Sequence, residues 1–147
     1  IEDEHQADAV IIDAGYGTGI VSAGKTMGRR WHLIWSASTD TPDQSCHNMR
    51  AYMWKQIRDW LKSGGAIPAD KGLHAELLSV QIKDRLDGKL LLESKKEMKA
   101  RSVSSPNKAD ALALSFAMPI RSKKRVGSAM QGRGVQVLTK YNPFRRR

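Results

Sequence analysis

Four successive apolar residues, Ala9-Val10-Ile11-Ile12, form the first clear element of the chain. A run apolar on both faces predicts a short buried strand of a parallel sheet. Asp13 closes it, Gly15, Gly17 and Gly19 then predict a flexible turn, and Ile20 to Met27 a short helix. Trp31-His32-Leu33-Ile34-Trp35 reads as a second strand, and the polar stretch from Ser36 to Ser45, with Pro42, as a loop. The clearest helix follows. Met49, Tyr52, Met53, Ile57, Trp60 and Leu61 recur at helical spacing, Asn48 or Ser45 supplies a cap, and Gly64-Gly65 stops it.

Ala66-Ile67-Pro68 is a short extended piece, and Asp70 then caps a helix bearing Leu73, Leu77 and Leu78. Val80-Gln81-Ile82 and Lys89-Leu90-Leu91-Leu92 flank the turn pair Asp87-Gly88 and predict a hairpin. Glu93 to Arg101 predicts a charged, exposed helix. Ser105-Pro106 starts the last helix, Asn107 to Met118, with Ser105 as cap, and Pro119 ends it. Strands alternating with helices make this an α/β chain.

Charge changes the picture at one end. The 147 residues carry a net +10, and nine of the 25 Lys and Arg lie between Arg121 and Arg147, with no acid among them. The remaining 16 are balanced by 15 acids, so residues 1–120 are expected to form a nearly neutral globular domain and 121–147 a basic, flexible tail. Such an arm meets nucleic acid or an acidic protein surface, or simply solubilises the chain. No stretch reaches the roughly 18 apolar residues of a membrane helix. Cys46 is the single cysteine, which excludes an internal disulfide and a cysteine zinc cluster and points to a reducing, intracellular site. The acidic start, Ile1-Glu2-Asp3-Glu4, has no signal-peptide pattern.

Gly19-Ile20-Val21-Ser22-Ala23-Gly24-Lys25-Thr26 matches the phosphate-loop pattern. A working phosphate loop needs a helix that begins at its Lys-Thr pair. Here Gly28 and a strand follow too soon, so ATP binding is not expected, and a small-residue helix packed against the sheet is the better reading. The acids carry more. Asp13 stands at the carboxyl end of a strand, where sites gather in open α/β sheets, although a turn aspartate fits that position equally. Asp110 is the one charge in Ala109-Asp110-Ala111-Leu112-Ala113-Leu114-Ser115-Phe116-Ala117. A lone carboxylate on an apolar helix is costly to bury unless a cation faces it. The alternative, stabilisation by the helix dipole, weakens one turn into the helix. Asn107, three residues earlier, shares its face. Two carboxylates and an amide oxygen suit a hard cation, Mg²⁺ or Mn²⁺. His5, His32, His47 and His74 show no ligand spacing.

Four segments occur in order: Ala9-Val10-Ile11-Ile12-Asp13-Ala14-Gly15-Tyr16-Gly17-Thr18-Gly19, Asn48-Met49-Arg50-Ala51-Tyr52-Met53-Trp54, Leu91-Leu92-Glu93-Ser94-Lys95-Lys96-Glu97-Met98-Lys99, and Ser105-Pro106-Asn107-Lys108-Ala109-Asp110-Ala111-Leu112-Ala113-Leu114. Together, over about Asp8 to Pro119, they resemble the nuclease domain of terminase large subunits of tailed phages and prophages. The resemblance implies a ribonuclease-H-like fold, with a mixed sheet flanked by helices. It further implies a DNA endonuclease that cuts concatemeric DNA during packaging with two Mg²⁺ or Mn²⁺ ions. Three acids hold metal in that family. Asp13 matches the second, Asp110 the third, and Asn107 a position that assists. Lys95, Lys96, Lys99 and Arg101 fall in a basic segment near the cleft and, with Lys123, Lys124 and Arg125 of the tail, are candidates for DNA contact. A solvated helix face is the plainer reading of the lysines. Double-stranded DNA is the implied partner, with the portal protein and small terminase subunit as further ones, in the bacterial host's cytoplasm.

The first family acid, on an opening strand ending in an Asp-Pro-Ala-like segment, has no match before Ala9. The chain is therefore expected to be the later part of such a domain, with an incomplete sheet and weak or absent cleavage. The rival readings are a non-catalytic basic DNA-binding remnant and a junction-resolving nuclease of the same fold.

Overall fold

The computed structural model describes residues 2–121. Two strands and the helix between them form its first unit. β1 (Ile11–Asp13) pairs in parallel with β2 (His32–Ile34), Ile11 opposite His32 and Asp13 opposite Ile34. The connecting α1 spans Ala14–Thr26 and begins directly after Asp13.

The expected glycine turn is absent, because Gly15, Gly17 and Gly19 all lie inside α1. Close packing explains two of the glycines on this helix. A Cβ on Gly17 would fall 2.2 Å from Ile12 Cγ2, and one on Gly24 would fall 2.3 Å from Trp31 Cε3. Only glycine lets α1 approach the sheet this closely. The phosphate-loop pattern is correspondingly inert. Its Gly24-Lys25-Thr26 ends the helix, where backbone carbonyls rather than N–H groups are free. Gly28, at φ +71°, then turns the chain toward β2.

Beyond the sheet lie α2 (Met49–Lys62) and α5 (Asn107–Leu114), which pack on each other, and α5 also meets β1. Met49, Met53, Ile57, Ala113 and Ala117 are buried together there, and Ile34 packs against them. Asn48 is the α2 cap, accepting from Ala51 N at 2.9 Å. Two loop carbonyls take further free N–H groups at this end: Met49 N donates to Ser38 O at 2.8 Å and Arg50 N to Ser36 O at 2.9 Å. Capping therefore also fixes the loop that carries Ser36.

α3 (Lys71–Ser79) is capped by Asp70 as expected. β3 (Ile82–Lys83) and β4 (Leu91–Leu92) form the antiparallel hairpin, with Gly88 at φ +69° in its turn. α4 covers Lys95–Ala100 and starts with a capping box, Ser94 and Glu97 each accepting from the other's backbone N–H. The expected exposed helix is thus shorter and less exposed: Met98 is fully buried and Glu93 is 4% exposed. α5 stops at Leu114 rather than Met118, tightening into i−3 bonds from Ser115, Phe116 and Ala117. Its cap position is Pro106, not Ser105, whose hydroxyl instead donates to Asn107 Oδ1 at 2.9 Å.

Candidate metal centre

Three elements converge at the carboxyl end of β1. The strand ends on Asp13, α5 brings Asn107 and Asp110, and α2 brings Arg50. With Ser36 and Lys95 they line a cleft of about 270 Å³. The structure therefore brings together the three metal-ligand candidates, Asp13, Asp110 and Asn107, and one of the basic candidates.

The start of α5 is held from α3. Ala109 N donates to Glu76 Oε2 at 2.9 Å, and Lys108 Nζ pairs with Asp70 Oδ2 at 2.7 Å. A carboxylate thus meets a free N–H at the positive end of the helix. Because α5 begins at Asn107, Asp110 sits in its first turn, where the dipole also favours it. Its oxygens nevertheless engage other elements. Oδ1 accepts from Arg50 Nε at 3.1 Å and from Trp54 Nε1 at 3.0 Å, while Oδ2 lies 3.2 Å from Lys95 Nζ. The Asp110 side chain is 21% exposed, so these are partly desolvated contacts.

Asp13 occupies the cap position of α1 yet makes no side-chain capping bond. Its Oδ1 accepts instead from Ser36 Oγ at 3.0 Å. Among the described residues no hydrogen-bond donor reaches its Oδ2, and the carboxylate is exposed to the cleft. Asp13 thus has one oxygen held by a named donor, whereas both oxygens of Asp110 have a partner.

Lys96 lines a wider adjoining groove of about 780 Å³, which also reaches Asn48, Arg50, Ser94 and Lys95. Lys99 lies beside Lys95 in a cavity with Ser102, Ser104 and Ser105. Arg101 sits apart from these lysines in its bonding. It donates to both oxygens of Glu93 and to Ser79 O at 3.0 Å, and Glu93 Oε1 also accepts from Gln81 N at 2.8 Å. The Arg101 guanidinium beside it holds the Glu93 carboxyl below the usual carboxylate range. Lys123, Lys124 and Arg125 lie outside the described residues.

The donor set fits a hard divalent cation: two carboxylates and an amide oxygen, with no thiolate or imidazole. It is a sparse set, since no cluster of three or more His, Cys, Asp or Glu occurs among the described residues. The sequence assigned no part in the site to Ser36, Arg50 or Trp54. One signal for the last two was available. Arg50 and Trp54 are four residues apart beside the apolar stripe of α2, so both project from one flank of the helix.

Neither a protein-family model nor a curated protein matches the sequence. Solved structures do match. The nuclease domain of the large terminase subunit gp2 of bacterial virus Sf6 is 27% identical, with a TM-score of 0.63 over 80% of this chain and 68% of that one. A point mutant of that domain with manganese is 26% identical, at 0.63, over 80% of this chain and 69% of that one. The same point mutant with calcium gives 26% and 0.63, over 80% and 68%. The α/β fold is thus of the ribonuclease-H-like kind expected from the resemblance.

Proposed function

We propose that this chain, which has the fold of a large-terminase nuclease domain and resembles one over four fifths of its length, is a divalent-metal-dependent DNA endonuclease domain of a viral packaging motor. The observation that carries this reading is the meeting of Asp13 and Asp110, from opposite ends of the described chain, in one cleft with Asn107. Asp13 and Asp110 would hold Mg²⁺ or Mn²⁺, with Asn107 assisting. Held there, two such ions would supply stabilisation of the attacking water and leaving oxygen in phosphodiester hydrolysis.

The chain's own residues handle the substrate. Lys95 stands at the cleft, and Lys96 and Lys99 line the openings beside it. This row of ammonium groups suits the phosphates of double-stranded DNA, whose backbone charge dominates affinity. Concatemeric DNA is the proposed substrate, with the portal protein and small terminase subunit as partners of the parent motor in the host cytoplasm. ATP is not proposed as a partner, since the phosphate-loop pattern ends α1 instead of starting a helix. No helix among the described residues is long and apolar enough to cross a membrane.

Cleavage of supercoiled plasmid in Mn²⁺ tests the reading, beside EDTA and Asp110→Ala controls. Metal-dependent nicking that the variant loses is the expected result. Cutting that survives Asp110→Ala would remove that residue from the site. A second reading draws on the sparse acid set: a DNA-binding domain without catalysis. Metal-independent, salt-sensitive DNA binding with no cleavage would favour it. Preference for branched over linear DNA would point to a junction-resolving nuclease instead.

A further inference from the structure

We infer that Arg50 and Trp54 are positioning residues that hold Asp110 so that one chosen oxygen faces the cation. This rests on the metal-site reading above. Both side chains leave α2 on one flank, and both donate to the same atom, Asp110 Oδ1, at 3.1 and 3.0 Å. A carboxylate oxygen has two lone pairs, so these donors fill Oδ1. Oδ2 is then the oxygen left to face the cleft, where Lys95 Nζ lies 3.2 Å away. Groups behind a metal-ligating side chain set its orientation in this manner.

Arg50 reaches further. Its Nη1 donates to Glu93 O at 2.8 Å, immediately before the Ser94 cap of α4. One guanidinium therefore ties the acid on α5 to the segment that carries Lys95. Its plane lies near the Trp54 ring, with Cζ 5.6 Å from the ring centroid. Arg50 Nη2 is buried and has no partner among the described residues. A buried N–H without an acceptor costs stability. This guanidinium is accordingly better explained by the geometry it imposes than by stability alone.

The test measures Mn²⁺ binding by electron paramagnetic resonance, with metal-free thermal unfolding alongside, for the full chain and for Trp54→Phe, Arg50→Lys and Asp110→Asn. Trp54→Phe keeps the ring and removes only the N–H donor. We expect it to weaken Mn²⁺ binding roughly tenfold while leaving the metal-free unfolding midpoint nearly unchanged. Arg50→Lys keeps the charge but loses the two-point reach, and should weaken binding to a similar degree. In a ¹H–¹⁵N NMR spectrum of the metal-free protein, the indole N–H signal missing from Trp54→Phe identifies Trp54, and Asp110→Asn should shift that signal relative to wild type. Mn²⁺ binding unchanged in Trp54→Phe would overturn the inference. So would a weakening matched by an equal loss of metal-free stability, which would mark a purely structural contact. If the wild type binds Mn²⁺ no better than Asp110→Asn, the metal reading itself fails and the positioning role falls with it.

Discussion

Gly24 lies directly against the indole of Trp31, so close that a Cβ on the glycine would come within 2.3 Å of the ring. The ring has little freedom to yield, because Trp31 Nε1 donates to Glu2 Oε2 at 2.7 Å. Gly24→Ala should therefore destabilise the fold by about 1–3 kcal/mol through overpacking, less any gain in helix propensity. Gly19 is the internal control. It lies in the same helix, but a Cβ there meets nothing within 4 Å. Gly19→Ala should stabilise by up to about 1 kcal/mol. Urea unfolding of both variants measures the contrast. Equal effects would mean that α1 does not approach Trp31 as described.

The same helix shows where sequence reading stops. Glycines at alternate positions have the local chemistry of a turn, yet Gly17 and Gly24 serve helix-to-sheet contact, which depends on Ile12 and Trp31. Elements set by local rules were legible: the Asn48 and Asp70 caps, the Met49–Met53–Ile57 stripe, and the hairpin around Asp87-Gly88. Asp110 was legible as a site candidate because a single charge stood among apolar residues. Its partners were not. Arg50, Trp54 and Ser36 reach the acids across the fold, and no spacing within α2 or the loop announces which oxygen they will meet. Glu93 was hidden in a charged run that read as solvated, although it is 4% exposed and paired with Arg101.

That pairing gives Arg101 a different expected phenotype from its lysine neighbours. Arg101→Ala leaves a buried carboxylate without its cation, a strongly unfavourable arrangement. It should lower the thermal midpoint by several degrees and weaken DNA binding only as far as the fold loosens. Lys99→Ala removes an exposed cation and should leave the midpoint in place while reducing the salt dependence of DNA binding. Calorimetry and binding titrations over a salt series separate the two. A wild-type midpoint in Arg101→Ala would contradict the structural role of the pair.

Acid sensitivity has an identifiable source at the start of α4. Lys83, with the Ser94 backbone N–H and hydroxyl, lowers the Glu97 carboxyl from 4.5 to about 2. A depressed carboxylate stabilises the fold above its unfolded value, and that contribution disappears as pH falls through the folded one. For Glu97 the window runs from 4.5 down to about 2. Glu97→Gln should be less stable than wild type at pH 7, and the two should converge toward pH 2. Asp87, held at about 2 by Arg85, loses its own contribution in the same range, so the variant curve should still slope. Thermal midpoints across pH 2–7 provide the check. Parallel curves would remove Glu97 as a source.

Lys95 is set to compete with a cation. Its ammonium lies 3.2 Å from Asp110 Oδ2, the oxygen left to face the cleft, yet its side chain is 56% exposed and free to swing away. A divalent ion arriving at Asp110 must displace this ammonium or sit beside it, and either costs Coulomb energy. Lys95→Ala removes that competitor, so Mn²⁺ should bind severalfold tighter. DNA should bind more weakly, with the slope of log affinity against log salt reduced by about one, as for one lost phosphate contact. Lys96→Ala makes the comparison decisive, because Lys96 has no ion pair with Asp110 among the described residues. It should reduce the salt slope and leave Mn²⁺ binding unchanged. If Lys95→Ala binds Mn²⁺ no better than wild type, the ammonium is not a competitor. Loss of Mn²⁺ affinity in that variant would mean instead that Lys95 helps to hold the Asp110 carboxylate in place.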